Sequence, residues 1–168
     1  MPRIVLAPYD PRWPELFERE SGRIRAVLGS RVLRIEHAGS TSVPGLAAKP
    51  VIDIVLVIAD SADEAAYAPS LEAAGYVLRT REPDWHEHRL FKGPDTNINL
   101  HVFSKGCPEV DRILAFRDWL RSNAADRELY VRTKLALAER EWPTVQSYAD
   151  AKTGVVDEIL ARAWPDGK

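Results

Sequence analysis

The strongest strand signal in the chain is the apolar run over residues 51–58 (VIDIVLVI), and a shorter apolar run at 32–35 precedes it. A loop of small residues separates the two runs, with Gly39, Ser40 and Thr41 at its start. β-Branched residues favour strands, and glycine favours tight turns. The pattern therefore predicts a strand, a Gly-Ser turn, a short helix and a second strand.

Polar and apolar residues alternate over residues 97–102, within a predicted strand that runs to Phe103. Asn97, Asn99, His101 and Phe103 share one face of this predicted strand, and the intervening Ile98, Leu100 and Val102 share the other. Two earlier strands are predicted at 76–79 and 88–92, bounded by Pro-Asp and Gly-Pro-Asp turns. We expect these three strands to form an antiparallel meander beside strand 51–58.

Helical periodicity and capping residues predict the remaining elements. A helix that begins at Trp13 ends at Gly29, and Ser61 to Glu64 form a capping-box pattern that opens a second helix reaching about Ala74. From residue 108 onward the chain is helical, with helices predicted over 108–122, over 126–141 and from a Ser147 cap to about residue 164. An α/β front half is thus followed by an all-helical back half.

Composition narrows the class of protein. With 168 residues, 45% of them hydrophobic and 29% charged, the chain suits one soluble domain. A net charge of −2 argues against general nucleic-acid binding, so no nucleic-acid partner is expected. A single cysteine indicates a reducing compartment, and neither a signal peptide nor a membrane span is recognisable. We expect a cytoplasmic protein; the sequence leaves its oligomeric state open.

The Gly-Ser loop is the first candidate site. Gly39 lets the backbone approach a ligand, Ser40 and Thr41 supply hydroxyl donors, and Lys49 supplies a positive charge, so the loop can hold phosphate. The alternative is a simple helix cap. Asp53 is a carboxylate within an apolar strand and needs a partner, which is either a metal ion or a cation such as Lys49 or Arg89.

The same stretch resembles the signature of the GrpB family, a bacterial group with the nucleotidyltransferase fold of the DNA polymerase beta superfamily. The resemblance lies in residues 36–41 (EHAGST), 43–46 (VPGL), 48–50 (AKP) and 52–54 (IDI). Further matching pieces are residues 9–11 with Trp13, 100–102, 116–121, and Tyr148 with Lys152.

The resemblance implies an α/β (α+β) fold, with a nucleotidyltransferase-like mixed sheet and flanking helices followed by a C-terminal helical lobe. We expect residues 1–106 and 107–168 to form these two lobes of one compact unit. One departure from active nucleotidyltransferases is clear, because their strand after the Gly-Ser motif carries two carboxylates separated by one residue. Here the triplet is Asp53-Ile54-Val55, so the second acid is absent.

Three hypotheses for function follow. The first is an enzyme that transfers a nucleotidyl group from a nucleoside triphosphate to a small molecule or protein, with Asp53 holding a weakly bound, substrate-dependent Mg²⁺ and His101 or His37 activating the acceptor. The second is a binding module for a nucleotide or phosphorylated metabolite, for which the resemblance implies a coenzyme A-related ligand as one candidate. The third is an interaction protein without a ligand. For the first two, the residues expected to contact phosphate are Gly39, Ser40, Thr41, Lys49, Arg89, Tyr130, Lys134 and Lys152.

The polar face of strand 97–103 needs hydrogen-bond partners, and the helices after Pro108 are the remaining part of the chain that can cover this face. We therefore expect a cleft between the two lobes, with Asp53 and His101 facing each other across neighbouring strands.

Overall fold

A computed structural model describes residues 5–165, so the outermost parts of the two predicted lobes, residues 1–4 and 166–168, lie outside it. The helices are α1 (Trp13–Leu28), α2 (Ala68–Ala73), α3 (Pro108–Ser122), α4 (Ala124–Ala138) and α5 (Val145–Ala163). The strands are β1 (Arg34–Ala38), β2 (Ile52–Ile58), β3 (Val77–Glu82), β4 (His88–Lys92) and β5 (Ile98–Ser104). Within residues 5–165, none of the helices has the length and apolar character needed to cross a membrane.

The five strands form one mixed sheet in the order β1-β2-β5-β4-β3. Strands β3, β4 and β5 are successively antiparallel, which confirms the predicted meander, and β5 then pairs with β2 in parallel. In that parallel pair Asp53 lies opposite Asn99, and Val55 lies opposite His101. The sheet therefore places the candidate carboxylate of β2 beside the polar residues of β5.

Alternation along the strands divides the core between the two faces of the sheet. On one face Ile54 and Leu100 pack with Ile24 and Leu28 of α1 and with Leu71 of α2. The opposite face buries a smaller apolar cluster against α3, made of Ala38, Val55, Val57, Phe103, Val110 and Leu114. The polar side chains of β5 lie on this second face, as the period-2 pattern predicts.

The three C-terminal helices pack on the Gly-Ser loop through a third cluster. Val43 and Leu46 of the loop are fully buried with Leu120, Tyr130 and Ile159. Asp126 ties the helices together, since it accepts from the Trp119 indole at 2.7 Å and from Arg162 at 2.6 Å. A mixed sheet with helices on both faces and a helical region after β5 confirms the predicted α/β (α+β) class.

Two predicted helix starts are wrong. Ser61 does not cap a helix, because its hydroxyl donates to the Glu87 carbonyl at 2.7 Å and contacts the Ser104 hydroxyl. A short 3₁₀ turn follows instead, and α2 begins only at Ala68. The cap of α5 is Thr144, whose hydroxyl accepts from the Ser147 amide.

Candidate functional site

The centre of the site is the contact between Gly39 and Asp53. Gly39 has a φ of 69°, in the left-handed region that favours glycine. A Cβ at this position would lie 3.0 Å from the Asp53 Cβ and would overlap the Asp53 carboxylate. The Gly-Ser loop can therefore lie against the β2 carboxylate only because residue 39 has no side chain.

His101 is the direct partner of that carboxylate. Its Nε2 lies 3.1 Å from Asp53 Oδ1, so the two side chains face each other across neighbouring strands as the sequence predicts. Among the ion pairs that the structure describes, Asp53 therefore pairs with His101 rather than with Lys49 or Arg89. On the same face, Lys92 Nζ donates to Asn99 Oδ1 at 2.7 Å.

Three lysines converge on a cavity of about 160 Å³ beside Asp53. Lys49 comes from the segment before β2, Lys134 from α4 and Lys152 from α5. None of the three forms an ion pair with a carboxylate among the residues that the structure describes. The remaining walls of the cavity are Leu6, Ser40, Thr41, Ala48, Val51, Asp53, Asn99 and Tyr148. The cavity lies where the helices cover the sheet, and its charged groups are mainly positive.

Burial and nearby positive charge lower the pKa of two of these lysines, Lys134 and Lys152. Lys134 is 2% exposed, and burial, then Lys152 and Lys49, lower the pKa of its ammonium group to about 7. Burial and Lys49 also lower the pKa of Lys152, with Asp53 acting in the opposite direction. Lys134 Nζ donates to Ser40 Oγ at 3.0 Å. A buried ammonium group with one hydroxyl partner is a strong attractor for an anion.

Two of these lysines lie over tyrosine rings. Lys134 Nζ lies 4.7 Å from the centre of the Tyr130 ring, and Lys152 Nζ lies 5.1 Å from that of Tyr148. The Tyr148 hydroxyl is buried and has no hydrogen-bond partner within the described part of the chain. Buried hydroxyls of this kind normally bond to protein, water or ligand. Tyr148 therefore offers an unused polar group at the wall of the cavity.

His37 is not placed in the cavity, contrary to the role predicted for it. It lies on the α1 face of the sheet, stacked on Phe17 with ring centres 5.0 Å apart. Thr41 Oγ1 donates to the Val51 carbonyl, so the His37 Nε2–H donates to Thr41 Oγ1 at 3.0 Å. Burial lowers the pKa of His37 to about 4. His37 is therefore a neutral residue that positions Thr41. The His37 Nε2–H and the Thr41 Oγ1 already take part in the hydrogen bond between the two residues.

Arg89 is also placed away from the cavity. In β4 it pairs with Val102, whose side chain belongs to the α1 face, whereas Leu90 pairs with His101. Its guanidinium donates to Glu64 at 2.7 Å and to Glu87 at 3.2 Å. The predicted phosphate contact of Arg89 is thus not supported, because the register of β4 directs the side chain to the opposite face.

The donor set does not fit the Mg²⁺ site of active nucleotidyltransferases. Val55, which stands at the position of their second acid, is fully buried in an apolar cluster. Asp53 is held by His101, and no cluster of three or more His, Cys, Asp or Glu residues suited to a metal exists within residues 5–165. One carboxylate supplies too few oxygen ligands for a two-ion site. The chemistry proposed below therefore uses no metal ion.

Sequence reasoning missed two residues that extend the Asp53–His101 contact. His88 Nε2 lies 3.0 Å from His101 Nδ1, and His88 Nδ1 lies 2.8 Å from Glu82 Oε1. The period-2 pattern of β4, which places His88, Leu90 and Lys92 on one face, was the available signal. It could not show that this face was shared with His101, because that depends on the pairing of β4 with β5.

Comparisons with known proteins agree with this architecture. The family model described as GrpB protein matches residues 3–162. A UPF0157 protein of Halalkalibacterium halodurans is 66% identical over 160 residues, covering 95% of this chain and 82% of that protein. A protein named dephospho-CoA kinase, from Mycobacterium bovis, is 32% identical over 187 residues, covering 95% of this chain and 46% of its own length.

Among solved structures, the crystal structure of the conserved protein GrpB from Enterococcus faecalis aligns with a TM-score of 0.81 at 31% identity, covering 95% of this chain and 99% of that chain. This likeness, together with the mixed five-stranded sheet, confirms the predicted nucleotidyltransferase-like fold. With the family model matching nearly the whole chain, the protein belongs to the GrpB family.

Proposed function

We propose that the cavity binds the phosphates of a nucleotide or another phosphorylated metabolite, and that the protein transfers a nucleotidyl group from this ligand to an acceptor. The convergence of Lys49, Lys134 and Lys152 on one cavity carries the proposal. Bringing three cations together is unfavourable without a counter-charge, and a polyphosphate supplies one. The Tyr148 hydroxyl gives a further donor for a phosphate oxygen.

The chemistry proposed for the site uses fixed positive charge in place of metal ions. Lys134 and Lys152 neutralise the charge that develops on the leaving phosphates, since an electrostatic contact made in a partly buried site is stronger than in water. Asp53 lies at the edge of the same cavity, held by His101. There it accepts the proton of an acceptor hydroxyl as that oxygen attacks the α-phosphorus.

Binding without turnover is the second candidate function. The absence of a second carboxylate, with Val55 buried in its place, favours it. The mycobacterial relative named dephospho-CoA kinase suggests a ligand of the coenzyme A type for such a module. Both candidates use the same lysines, so they differ in product formation rather than in the residues that bind.

A thermal-shift panel tests binding. The ligands are the four ribonucleoside triphosphates, dephospho-coenzyme A, coenzyme A and inorganic tripolyphosphate, each with and without Mg²⁺. We expect at least one nucleotide or coenzyme A compound to raise Tm in the unaltered protein and to lose most of its effect in Lys152→Met. The matched control is Lys105→Met, an exposed lysine at the opposite end of β5 from Asn99.

The two candidate functions are then separated by measuring pyrophosphate release from the triphosphate that binds. Release that is lost in Asp53→Asn, while binding persists, supports transfer. Binding without any release supports the module. If no compound in the panel shifts Tm, or if the shift is unchanged in Lys152→Met, the cavity is not the phosphate site.

A further inference from the structure

A continuous line of four titratable side chains crosses the sheet on the face that carries the cavity. Each comes from a different strand: Asp53 from β2, His101 from β5, His88 from β4 and Glu82 from β3. The three gaps between neighbouring groups measure 3.1, 3.0 and 2.8 Å. With strands about 4.8 Å apart, the line spans about 14 Å from the cavity to the edge of the sheet.

The hydrogen bonds in this line fix the number of protons that it holds. Ionised Asp53 and Glu82 only accept, so the end gaps require a proton on His101 Nε2 and one on His88 Nδ1. The middle gap, between His88 Nε2 and His101 Nδ1, requires a third. Two neutral imidazoles carry only two ring protons, so the complete line contains one imidazolium ion and has a net charge of −1.

The surroundings of His88 disfavour a positive charge on its ring. Burial, then the neighbouring His101, lowers the pKa of His88, while Glu82 acts in the opposite direction. His88 is 5% exposed, with Trp85 and Phe103 packed against its ring. His101 is 27% exposed and contacts the Asp53 carboxylate directly. Lys92 of β4, Arg112 of α3 and Lys152 of α5 are the other charged groups near the line on this face, and Arg89 of β4 acts on His88 from the opposite face of the sheet.

We propose that Asp53, His101, His88 and Glu82 form a proton path that takes a proton from the cavity at Asp53 and releases it to water at Glu82. The inference rests on the proposed function, because an acceptor hydroxyl must supply the proton. Asp53 touches this acceptor and is the catalytic residue, whereas His88 and Glu82 are positioning residues that act through His101. The path leads away from the cavity, where Lys49, Lys134 and Lys152 oppose the exit of a proton.

The transfer balances in protons and charge. The relay starts from the form with two neutral imidazoles, in which His101 Nδ1–H bonds to His88 Nε2 and His88 Nδ1–H bonds to Glu82. Asp53 passes the proton that it takes from the acceptor hydroxyl to His101 Nε2. His101 passes its Nδ1 proton to His88 Nε2, and His88 passes its Nδ1 proton to Glu82, which releases it to water. One proton has then moved from the acceptor to solvent while the oxygen–phosphorus bond forms and the bond to the leaving phosphate breaks. Each ring proton has moved from Nδ1 to Nε2, and exchange with water restores the first tautomers before the next turnover.

The exposure of Glu82 fits its proposed role as the residue that releases the proton to water. Its side chain is 46% exposed, compared with 31% for Asp53, so it meets water at the β3 edge of the sheet. The alternative is a purely structural hydrogen-bond network that holds β3 and β4 together. In a proton path, a charge change at one end of the line alters the protonation of both imidazoles, including the one that the changed residue does not contact. In a purely structural network it does not.

The test uses ¹⁵N NMR of the two imidazole rings in the full, ligand-free protein, followed across about pH 5–9 where histidines titrate. We expect three protonated ring nitrogens on the acid side and two on the basic side, with one shared midpoint for the loss of the third. Glu82→Gln keeps an oxygen that accepts from His88, yet it should lower this midpoint by about one pH unit, because a unit charge is lost within the line. Asp53→Asn should act in the same direction from the other end.

The matched control is Asp84→Asn, which removes the same charge from an exposed residue in the turn between β3 and β4. It should shift the midpoint by less than about a third as much, because solvent screens an exposed charge. If Glu82→Gln and Asp84→Asn shift it equally, or if Glu82→Gln lowers Tm without moving the protonation of His101, the path is refuted and the line is structural. Because these spectra need no ligand, such a failure is separate from the absence of nucleotide binding in the thermal-shift panel.

Discussion

Replacing Lys134 with methionine should make the ligand-free protein more stable. The side chain is 2% exposed, and its folded-state pKa of about 7 lies below the ordinary value of 10.5. At about 1.4 kcal/mol per pKa unit, the charged form is destabilised by about 5 kcal/mol. Relaxation around the buried charge and the lost bond to Ser40 reduce the net gain, and we expect about 2–3 kcal/mol at neutral pH. Methionine has a similar length and needs no counter-charge.

The gain should depend on pH with a definite sign. Between about pH 7 and 10.5 the unfolded state binds more protons at Lys134 than the folded state, so the stability of the unaltered protein rises with pH over that window. The advantage of Lys134→Met is therefore largest below about pH 7 and shrinks toward pH 10. Urea unfolding at several pH values measures it, and at neutral pH Tm should rise by about 5–10 °C. Lys105→Met is the control and should change neither the free energy of unfolding nor Tm by much.

Anion binding should reverse the effect. A polyphosphate restores the charge of Lys134, so at about pH 8 its binding should take up nearly one proton, and at about pH 6 almost none. Calorimetry with inorganic tripolyphosphate in buffers of different ionisation enthalpy measures this uptake. If Lys134→Met is less stable than the unaltered protein at pH 7, or binds tripolyphosphate equally well with the same proton uptake, our reasoning about the buried lysine is refuted.

Three further predictions concern other residues. Glu20 is fully buried and burial raises the pKa of its carboxyl group, so its ionisation lowers the free energy of unfolding as pH rises above the ordinary value of 4.5. Glu20→Gln should therefore add about 1–2 kcal/mol to that free energy at neutral pH and nothing in acid. Equal urea midpoints for the two proteins at pH 7 would contradict this. Gly39→Ala should lower stability by about 1–3 kcal/mol, because the residue has a positive φ and faces Asp53; an unchanged Tm would contradict it. Mg²⁺ without nucleotide should bind weakly, and saturable calorimetric binding at micromolar concentration would disprove that.

The elements that could be read from the sequence are those that depend on local spacing. Helices α1 and α3 lie where the pattern and the Gly29 and Pro108 signals predict them, since periodicity and end signals act within a few residues. The alternation over residues 97–103 correctly placed Asn99 and His101 on one face of a strand. The motif around Gly39 led to the correct fold class because the resemblance is specific.

The site depended on contacts between distant segments. Only the strand register put Arg89 on the α1 face and joined Glu82 and His88 to His101, because a side chain's face is fixed by its partner strand as well as by its own alternation. Likewise, His37 does not reach the cavity, because in the folded chain it bonds to Thr41 and stacks on Phe17.

The sequence by itself therefore determined the fold class and the main elements, and it drew attention to the loop of Gly39 and Ser40 and to the carboxylate of Asp53. The tertiary structure alone decided which charges meet. Lys49, Lys134 and Lys152 are separated by up to 103 positions along the chain, and only the packing of α4 and α5 over the sheet brings them to one cavity. Burial and nearby positive charge lower the pKa of Lys134 and Lys152 only after that packing has formed, so no local pattern could predict the shift.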